Sequence, residues 1–336
     1  MWQHRDRLWG LFGLVAVALM LPASGWAAYE VWVTNQGLNK VQIIDGEKLD
    51  VVGEVTAGSK PHNVTFTADG RQAWVANVGS NNVTVIDTAS RQAIATIPAG
   101  KTAHAVTFSP DGKWAYICNP GDNTVSVADA KALKVVKTIK VGKAPALAYF
   151  SPDGQKAFVS NGGEGTLSVI DVAKGEVVGT IPNVGKGAMG MALAGDGRRL
   201  VVTGGGDDKV SIVDITTNKI VADIKHGKDA HGAVMAADGK HAWVPNRLSN
   251  DVSIIDVTSA KVVHTIEKVG DKPDIIDLSP DGKRAFVVLR GQAVTGTPHL
   301  HTGKDAGLSV IDTQERKVIK IIPLGGDPHG VGVLRK

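Results

Sequence analysis

Residues 61–100 read PHNVTFTADGRQAWVANVGSNNVTVIDTASRQAIATIPAG and contain one complete unit of the pattern from which the fold can be predicted. Apolar and polar residues alternate in four short segments, as they do in half-buried β-strands. An Asp-Gly turn at 69–70 separates the first two segments, because glycine accepts the positive φ that a tight turn requires. The stretch is therefore predicted to form four antiparallel strands.

The same pattern recurs along the chain. An apolar residue followed by aspartate ends the third strand of each unit, and these aspartates are Asp45, Asp87, Asp129, Asp171, Asp214, Asp256 and Asp312. The steps between them are 42, 42, 42, 43, 42 and 56 residues. A period of just over 40 residues with four strands per unit is typical of a β-propeller. The predicted fold class is all-β: a seven-bladed β-propeller with four antiparallel strands per blade.

The first unit lacks its innermost strand. Residues 29–57 contain only three strand patterns, and residues 330–334 near the C-terminus supply a fourth. Pairing of this C-terminal strand with the N-terminal blade would close the ring and remove an exposed sheet edge. The long step places an insertion at 291–306, between the second and third strands of the last complete blade. We predict a single propeller domain over 28–336.

Residues 1–27 are predicted to be a secretory signal peptide. Arg5 and Arg7 precede an apolar run at 8–21, and small residues at 25 and 27 fit a cleavage site. The run is shorter than the roughly 20 residues that a membrane-spanning helix needs, which disfavours the alternative of a membrane anchor. The expected location of the mature protein is periplasmic or secreted.

Composition limits the function classes. The chain has 37 Lys and Arg against 33 Asp and Glu, and a formal net charge of +4 is too weak to indicate nucleic-acid binding on its own. The one cysteine, Cys118, allows no internal disulfide, and its place in a strand pattern predicts a small buried residue.

Short motifs in the second strands resemble the YVTN family of β-propeller repeats. They are Val-Trp-Val-Thr-Asn at 31–35, Trp-Val-Ala-Asn at 74–77, Tyr-Ile-Cys-Asn at 116–119 and Phe-Val-Ser-Asn at 158–161, with Ser-Pro-Asp-Gly turns at 109–112, 151–154 and 279–282. The resemblance extends over the mature chain and implies the fold. Its relatives include haem d1-associated propellers, propellers that accompany quinoprotein alcohol oxidation, and secreted binding proteins, so the fold leaves the function open.

One column of the repeat carries residues able to bind metals. The starts of the seven innermost strands align as His62, His104, Ala146, Met189, His231, Asp274 and His329. In a propeller these positions surround the mouth of the central channel on one face, called here the top face, and the insertion opens on the same face. Imidazole is a common ligand of zinc, copper and iron. The predicted metal site consists of His62, His104, His231, His329 and Asp274, with His299 and His301 from the insertion.

The expected cofactor of this site is a copper, iron or zinc ion or a haem d1-like tetrapyrrole. His226 is expected on the same face. The alternative is that these histidines only bond channel waters and neighbouring turns.

A basic set of residues is predicted around this mouth. Two or three residues before the ring positions stand Lys60, Lys101, Lys143, Lys186, Lys228 and Lys272, and Arg247 and Arg290 follow second strands on the same face. Such a surface favours an anionic guest or an acidic partner protein. The alternative is a set of solvated lysines in surface turns.

Motifs of enzymes are absent from the sequence. It has no Gly-x-Ser-x-Gly elbow, no phosphate-binding loop and no Cys-x-x-Cys-His haem attachment site. Lactonase propellers exist, so hydrolysis stays open, but the sequence offers no acid–base pair to assign. The sequence therefore favours a binding or accessory protein over an enzyme. Two functions remain open: a metal or metallocofactor carrier that works beside a periplasmic redox enzyme, and a non-catalytic module that binds an acidic protein or another polyanion.

Overall fold

The computed structural model describes residues 29–225, 227–294, 297–301 and 304–335, with the backbone alone described at 293–294 and 297–301. These residues form seven four-stranded antiparallel sheets and one two-stranded hairpin. The predicted seven-bladed propeller is confirmed. The predicted signal peptide at 1–27 lies outside the described residues. None of the helical structure in the described part of the chain has the length and hydropathy of a membrane span.

The blades follow one another along the chain. In blades 2 to 7 the first strand in the chain lies next to the channel and the last strand lies at the outside. Blade 1 contains β1 (Tyr29–Asn35), β2 (Lys40–Asp45) and β3 (Val51–Thr56). Blade 2 contains β4 (Pro61–Phe66), β5 (Gln72–Asn77), β6 (Asn82–Asp87) and β7 (Gln92–Pro98). Blade 3 contains β8 (Ala105–Phe108), β9 (Trp114–Asn119), β10 (Thr124–Asp129) and β11 (Lys134–Lys140). Blade 4 contains β12 (Pro145–Phe150), β13 (Lys156–Asn161), β14 (Thr166–Asp171) and β15 (Glu176–Ile181).

The second half of the ring repeats this order. Blade 5 contains β16 (Ala188–Leu193), β17 (Arg199–Gly204), a short 3-10 helix (Gly205–Asp207), β18 (Lys209–Asp214) and β19 (Lys219–Lys225). Blade 6 contains β20 (Val234–Met235), β21 (His241–Asn246), β22 (Asp251–Asp256) and β23 (Lys261–Ile266). Blade 7 contains β24 (Pro273–Leu278), β25 (Arg284–Leu289), β28 (Gly307–Asp312) and β29 (Lys317–Pro323), with the hairpin β26 (Ala293–Val294) and β27 (Thr297–His301) inserted before β28.

The ring closes through β30 (Pro328–Arg335). This strand pairs antiparallel with β1, so that Tyr29 lies opposite Arg335 and Trp32 lies opposite Gly332. The sheet order of blade 1 is accordingly β3-β2-β1-β30. The closing strand is longer than the predicted 330–334, because its pairing with β1 continues to the ends of both segments.

Aromatic residues join neighbouring blades. The Trp74 ring of blade 2 meets the Phe108 ring of blade 3 edge to face, with centroids 5.2 Å apart. The same contact joins Trp32 to Phe66 at 5.5 Å. Large apolar residues recur once per repeat because each blade must bury both faces of its second strand against its neighbours. The core is therefore a series of layers between blades rather than one central cluster.

The asparagine that ends the second strand locks the turn on the top face. Asn77 Nδ2 donates to Asn82 Oδ1 at 2.9 Å and to Thr84 Oγ1 at 3.0 Å, which ties β5 to β6. Asn119 makes the equivalent bonds to the next strand of its own blade. Because the side chain satisfies polar groups that are buried in the turn, this position is asparagine in several repeats.

The hydroxyl next to that asparagine reaches into the following blade. Thr34 Oγ1 donates to the carbonyl oxygen of His62 at 2.9 Å and accepts from the Gly330 amide at 2.8 Å. Thr203 donates to the carbonyl oxygen of His231 in the same way. Cys118 occupies this column in blade 3 and is buried as predicted, and burial raises the pKa of its thiol well above the usual range. These bonds fix the backbone of the channel residues.

Candidate metal centre at the channel mouth

Three of the predicted ring residues converge at one point. His231 Nε2 lies 3.1 Å from Asp274 Oδ1, and His329 Nε2 lies 3.3 Å from Asp274 Oδ2. One potential ligand atom from each of the three lies within 4.8 Å of the others. All three side chains are buried, and Asp274 is 0% exposed.

The spacing of these atoms is compatible with ligands of one metal ion. Two ligands that each lie about 2.0–2.2 Å from one ion are separated by roughly 3.0–3.5 Å in octahedral or tetrahedral geometry. Among the described residues, neither oxygen of Asp274 has a hydrogen-bond partner of acceptable geometry, although both imidazoles are close. The Nδ1 atoms of His329 and His62 also have no partner there. A group of buried polar atoms that converge but do not bond one another indicates room for a guest.

Two further histidines stack on this cluster. The His62 ring lies 3.6 Å from that of His329 and 3.8 Å from that of His104, measured between centroids. His104 Nδ1 is 2.8 Å from the carbonyl oxygen of Ala146. A carbonyl can only accept, so Nδ1 carries the proton and Nε2 keeps its lone pair.

The histidines are neutral at physiological pH. Burial lowers the pKa of His104 to about 4 and takes the pKa values of His62, His231 and His329 well below 6.5. Nearby positive charge adds to this effect, since Arg290 lowers the pKa of His62, His231 and His329. A neutral imidazole is the form that binds a metal, so the site favours the ligand state without competition from protons.

Two arginines flank the buried carboxylate. The Nη1 atoms of Arg247 and Arg290 lie 3.8 Å and 3.6 Å from the oxygens of Asp274. Each guanidinium is also held by a second carboxylate: Arg247 by Asp229 at 2.9 and 3.0 Å, and Arg290 by Asp327 at 2.8 and 3.0 Å. The arginines therefore stabilise the charge on Asp274 while their own positions are fixed.

Sequence reasoning missed Asp229 and Asp327. Both stand two residues before a ring histidine, at the position where the lysines Lys60 and Lys272 occur in other repeats. Only the two blades whose histidines contact Asp274 have a carboxylate at that position. This pattern is the sequence signal that could have revealed Asp229 and Asp327.

A small cavity lies at the centre of the ring. Its volume is about 100 Å³. The histidines His62, His104, His231 and His329 form one part of its wall, and an apolar part includes Ala146, Leu147, Met189 and Met191. Pockets for larger organic ligands have roughly 300–1,000 Å³. The cavity therefore fits an ion with a few small ligands.

The structure places most predicted ring residues as expected, with small shifts in the strands. His104 and His231 precede their strands, since β8 begins at Ala105 and β20 at Val234. The backbone of His299 and His301 lies in β27, and their side chains lie outside the described part of the chain, as does His226. Whether these three histidines reach the centre stays a prediction.

The predicted basic residues fall into two groups. The exposed lysines of the top face, called here the lysine collar, are Lys60, Lys101, Lys143, Lys186 and Lys228. Lys272 is buried instead, and burial followed by repulsion from Arg247 and Arg290 lowers its pKa. Arg247 and Arg290 point inwards to carboxylates rather than outwards to solvent.

Two family models match overlapping parts of the chain. The model described as "Lactonase, 7-bladed beta-propeller" matches residues 28–228. The model described as "YNCE-like beta-propeller" matches residues 195–336. No curated protein sequence shows a significant match.

Solved structures share the fold at low sequence identity. Hydrazine synthase of Kuenenia stuttgartiensis aligns with a TM-score of 0.71 and 22% identity over 84% of this chain and 92% of that one. The dihydro-haem d1 dehydrogenase NirN, in complex with DHE, aligns with a TM-score of 0.66 and 19% identity over 90% of this chain and 74% of that one. A functionally unknown protein from Desulfotomaculum acetoxidans aligns with a TM-score of 0.77 and 14% identity over 91% and 99%.

Proposed function

We propose that this chain, which belongs to the lactonase family of seven-bladed β-propellers, binds a transition-metal ion at the channel mouth of its closed ring. His231, Asp274 and His329 are the proposed ligands. The observation that carries the proposal is the convergence of two imidazole nitrogens on a fully buried carboxylate whose oxygens have no aligned hydrogen bond among the described residues.

The donor set limits the metals. Two imidazoles and one carboxylate suit zinc, iron(II) or copper, and three protein ligands leave coordination positions open. The bound ion would supply Lewis-acid or redox chemistry at those positions. His62 and His104 line the adjacent cavity, and the lone pair on His104 Nε2 makes it a candidate for a further ligand or for a proton acceptor.

The proposed setting is an exported protein that supports redox metabolism. The signal-peptide pattern at 1–27 motivates the export. One structural neighbour is named as a dihydro-haem d1 dehydrogenase, and this name motivates the proposed link to redox metabolism. A tetrapyrrole is the second cofactor class to test, and it would have to extend above the cavity onto the top face, because the cavity is too small to enclose it.

The metal content of the purified protein tests the proposal. Protein 28–336, purified without a polyhistidine tag or chelator, should carry about one equivalent of zinc, iron or copper, or take it up from solution. The double variant His231→Ala/His329→Ala should lose this binding. His264→Ala is the matched control, because His264 lies in the outer strand β23 and should leave the stoichiometry unchanged.

Two results would overturn the proposal. One is wild-type protein that takes up none of these metals while its circular dichroism shows a folded β-protein. The other is a folded double variant that binds metal as tightly as the wild type. A visible spectrum of the protein as isolated separates a tetrapyrrole from a simple ion.

The lysine collar supports a second candidate function. Five exposed lysines on one face of a nearly neutral protein favour an acidic partner or another polyanion. Binding to heparin, used as the probe, should weaken steeply with salt and should fall in the variant Lys101→Glu/Lys143→Glu. The control Lys131→Glu/Lys174→Glu makes the same charge change in the exposed turns after β10 and β14, on the opposite face. Equal effects of the two variants would argue against the collar as a specific surface.

A further inference from the structure

We infer that the metal at this centre binds together with a small anion from solution, which sits in the channel cavity and completes the coordination. This inference rests on the proposed metal function and adds the class of ligand that the open position takes. It is carried by the balance of charges around Asp274 and by the residues that line the cavity.

The charged groups near the centre already neutralise one another. The positive groups are Arg247, Arg290 and Lys272, and the negative groups are Asp274, Asp229 and Asp327. The imidazole ligands are neutral. A divalent ion added to these six groups therefore brings two positive charges that the three carboxylates among them do not balance.

The described lining of the cavity provides no carboxylate as a counter-charge. Its described lining consists of histidines, one asparagine and apolar or glycine residues, and none of them is acidic. An uncompensated charge in a buried site is strongly unfavourable, because the surrounding protein cannot solvate it as water does. An anion that enters with the metal removes this penalty, and the cavity of about 100 Å³ has room for one beside the ligands.

The walls indicate what kind of anion fits. Met189, Met191 and Leu147 face the cavity that the histidines also line. This combination favours an anion of a few heavy atoms, with a charged end for the metal and a small or apolar remainder, over a heavily hydrated ion such as sulfate. The exposed lysines of the collar raise the local concentration of such anions at the mouth.

Cobalt(II) and azide test the inference directly. Co²⁺ is titrated into the protein in perchlorate at constant ionic strength, with and without saturating azide, and its visible bands report binding. Azide should tighten Co²⁺ binding by about 10- to 100-fold and Co²⁺ should tighten azide binding by the same factor, since coupling is reciprocal. Acetate should act in the same direction and sulfate should have little effect.

A variant with a carboxylate built into the cavity provides a second test of the inference. Ala146 occupies the ring position that Asp274 occupies in blade 7 and lines the cavity. Ala146→Asp should bind Co²⁺ more tightly without azide and should lose most of the azide effect. Ala146→Asn introduces a side chain of the same size as aspartate without its charge, so its Co²⁺ affinity and its response to azide should match those of the wild type.

The outcomes separate the two proposals. Failure of the folded wild type to bind any of Co²⁺, zinc, iron and copper overturns the metal function itself. Co²⁺ binding whose affinity is the same with and without azide and acetate overturns the anion alone and leaves the metal function standing. The wild-type titration decides this even if both Ala146 variants fail to fold.

Discussion

Replacement of Asp274 by asparagine should destabilise the protein by about 3 kcal/mol even in the absence of metal. The carboxylate is 0% exposed, and the nearest guanidinium nitrogens lie 3.6 and 3.8 Å away. With an effective dielectric constant of about 20, each of these pairs has a gross attraction of about 4 to 5 kcal/mol. Desolvation of the carboxylate cancels much of this sum, and loss of one member of a buried ionic network typically costs 3–5 kcal/mol.

The lower end of that range applies here for a structural reason. Asp229 and Asp327 continue to neutralise Arg247 and Arg290 after the substitution, so neither guanidinium is left without a counter-charge. Asparagine also keeps the shape of the side chain and creates no cavity. The predicted loss therefore reflects the missing charge and not altered packing.

Urea unfolding of metal-free protein measures the effect. Asp50→Asn is the control, because Asp50 forms an exposed pair with Lys320 and should change the free energy of unfolding by less than about 1 kcal/mol. Added metal at 100 times its Kd should stabilise the wild type by about 2.7 kcal/mol and the Asp274→Asn variant much less. An Asp274→Asn variant within 1 kcal/mol of the wild type would refute the view that this carboxylate holds the network together.

Three further outcomes are expected. Cys118 should resist alkylation by iodoacetamide at pH 8 in native protein and react fully in urea, because the thiol is buried and burial raises its pKa. Rapid labelling of the native protein would contradict this. Thr34→Val should lower the free energy of unfolding by about 1 to 3 kcal/mol, since the Gly330 amide loses its acceptor, and a neutral result in urea unfolding would count against the bridge. Burial raises the pKa of Asp277 from 3.8 to about 6, so the folded state binds the proton more tightly than the unfolded state does. Stability of the wild type should therefore fall by about 2 kcal/mol from pH 4 to pH 7 relative to Asp277→Asn, and parallel pH profiles of the two proteins would refute the assignment.

The repeat made the architecture and the ring predictable from the sequence. A fixed period assigns equivalent positions in different blades to the same height around one axis, so His231, Asp274 and His329 could be grouped before any contact was known. Their meeting at one point follows because blades 6, 7 and 1 are neighbours once β30 closes the ring.

Side-chain direction was not predictable in the same way. Lys272 belongs by position with the exposed lysines, yet it is buried, because Asp229 and Asp274 provide negative charge on the inner side of its turn. Arg247 and Arg290 were predicted to belong to the basic set on the top face that binds an anion or a partner, and they instead reach inwards to carboxylates. A period locates a residue on the ring, but the partners offered by the adjacent blade decide where its side chain lies.

The closing strand gives the centre an order of assembly. His329 lies on β30, whereas Asp274 lies on β24 and His231 precedes β20. During synthesis His231 and Asp274 emerge well before His329. A chain that has not yet docked β30 against β1 therefore offers only two of the three proposed ligands. Under the proposed metal function, capture of the ion is therefore expected only after β30 is in place, so that an incomplete chain should have little affinity for the ion and occupancy would report completed folding.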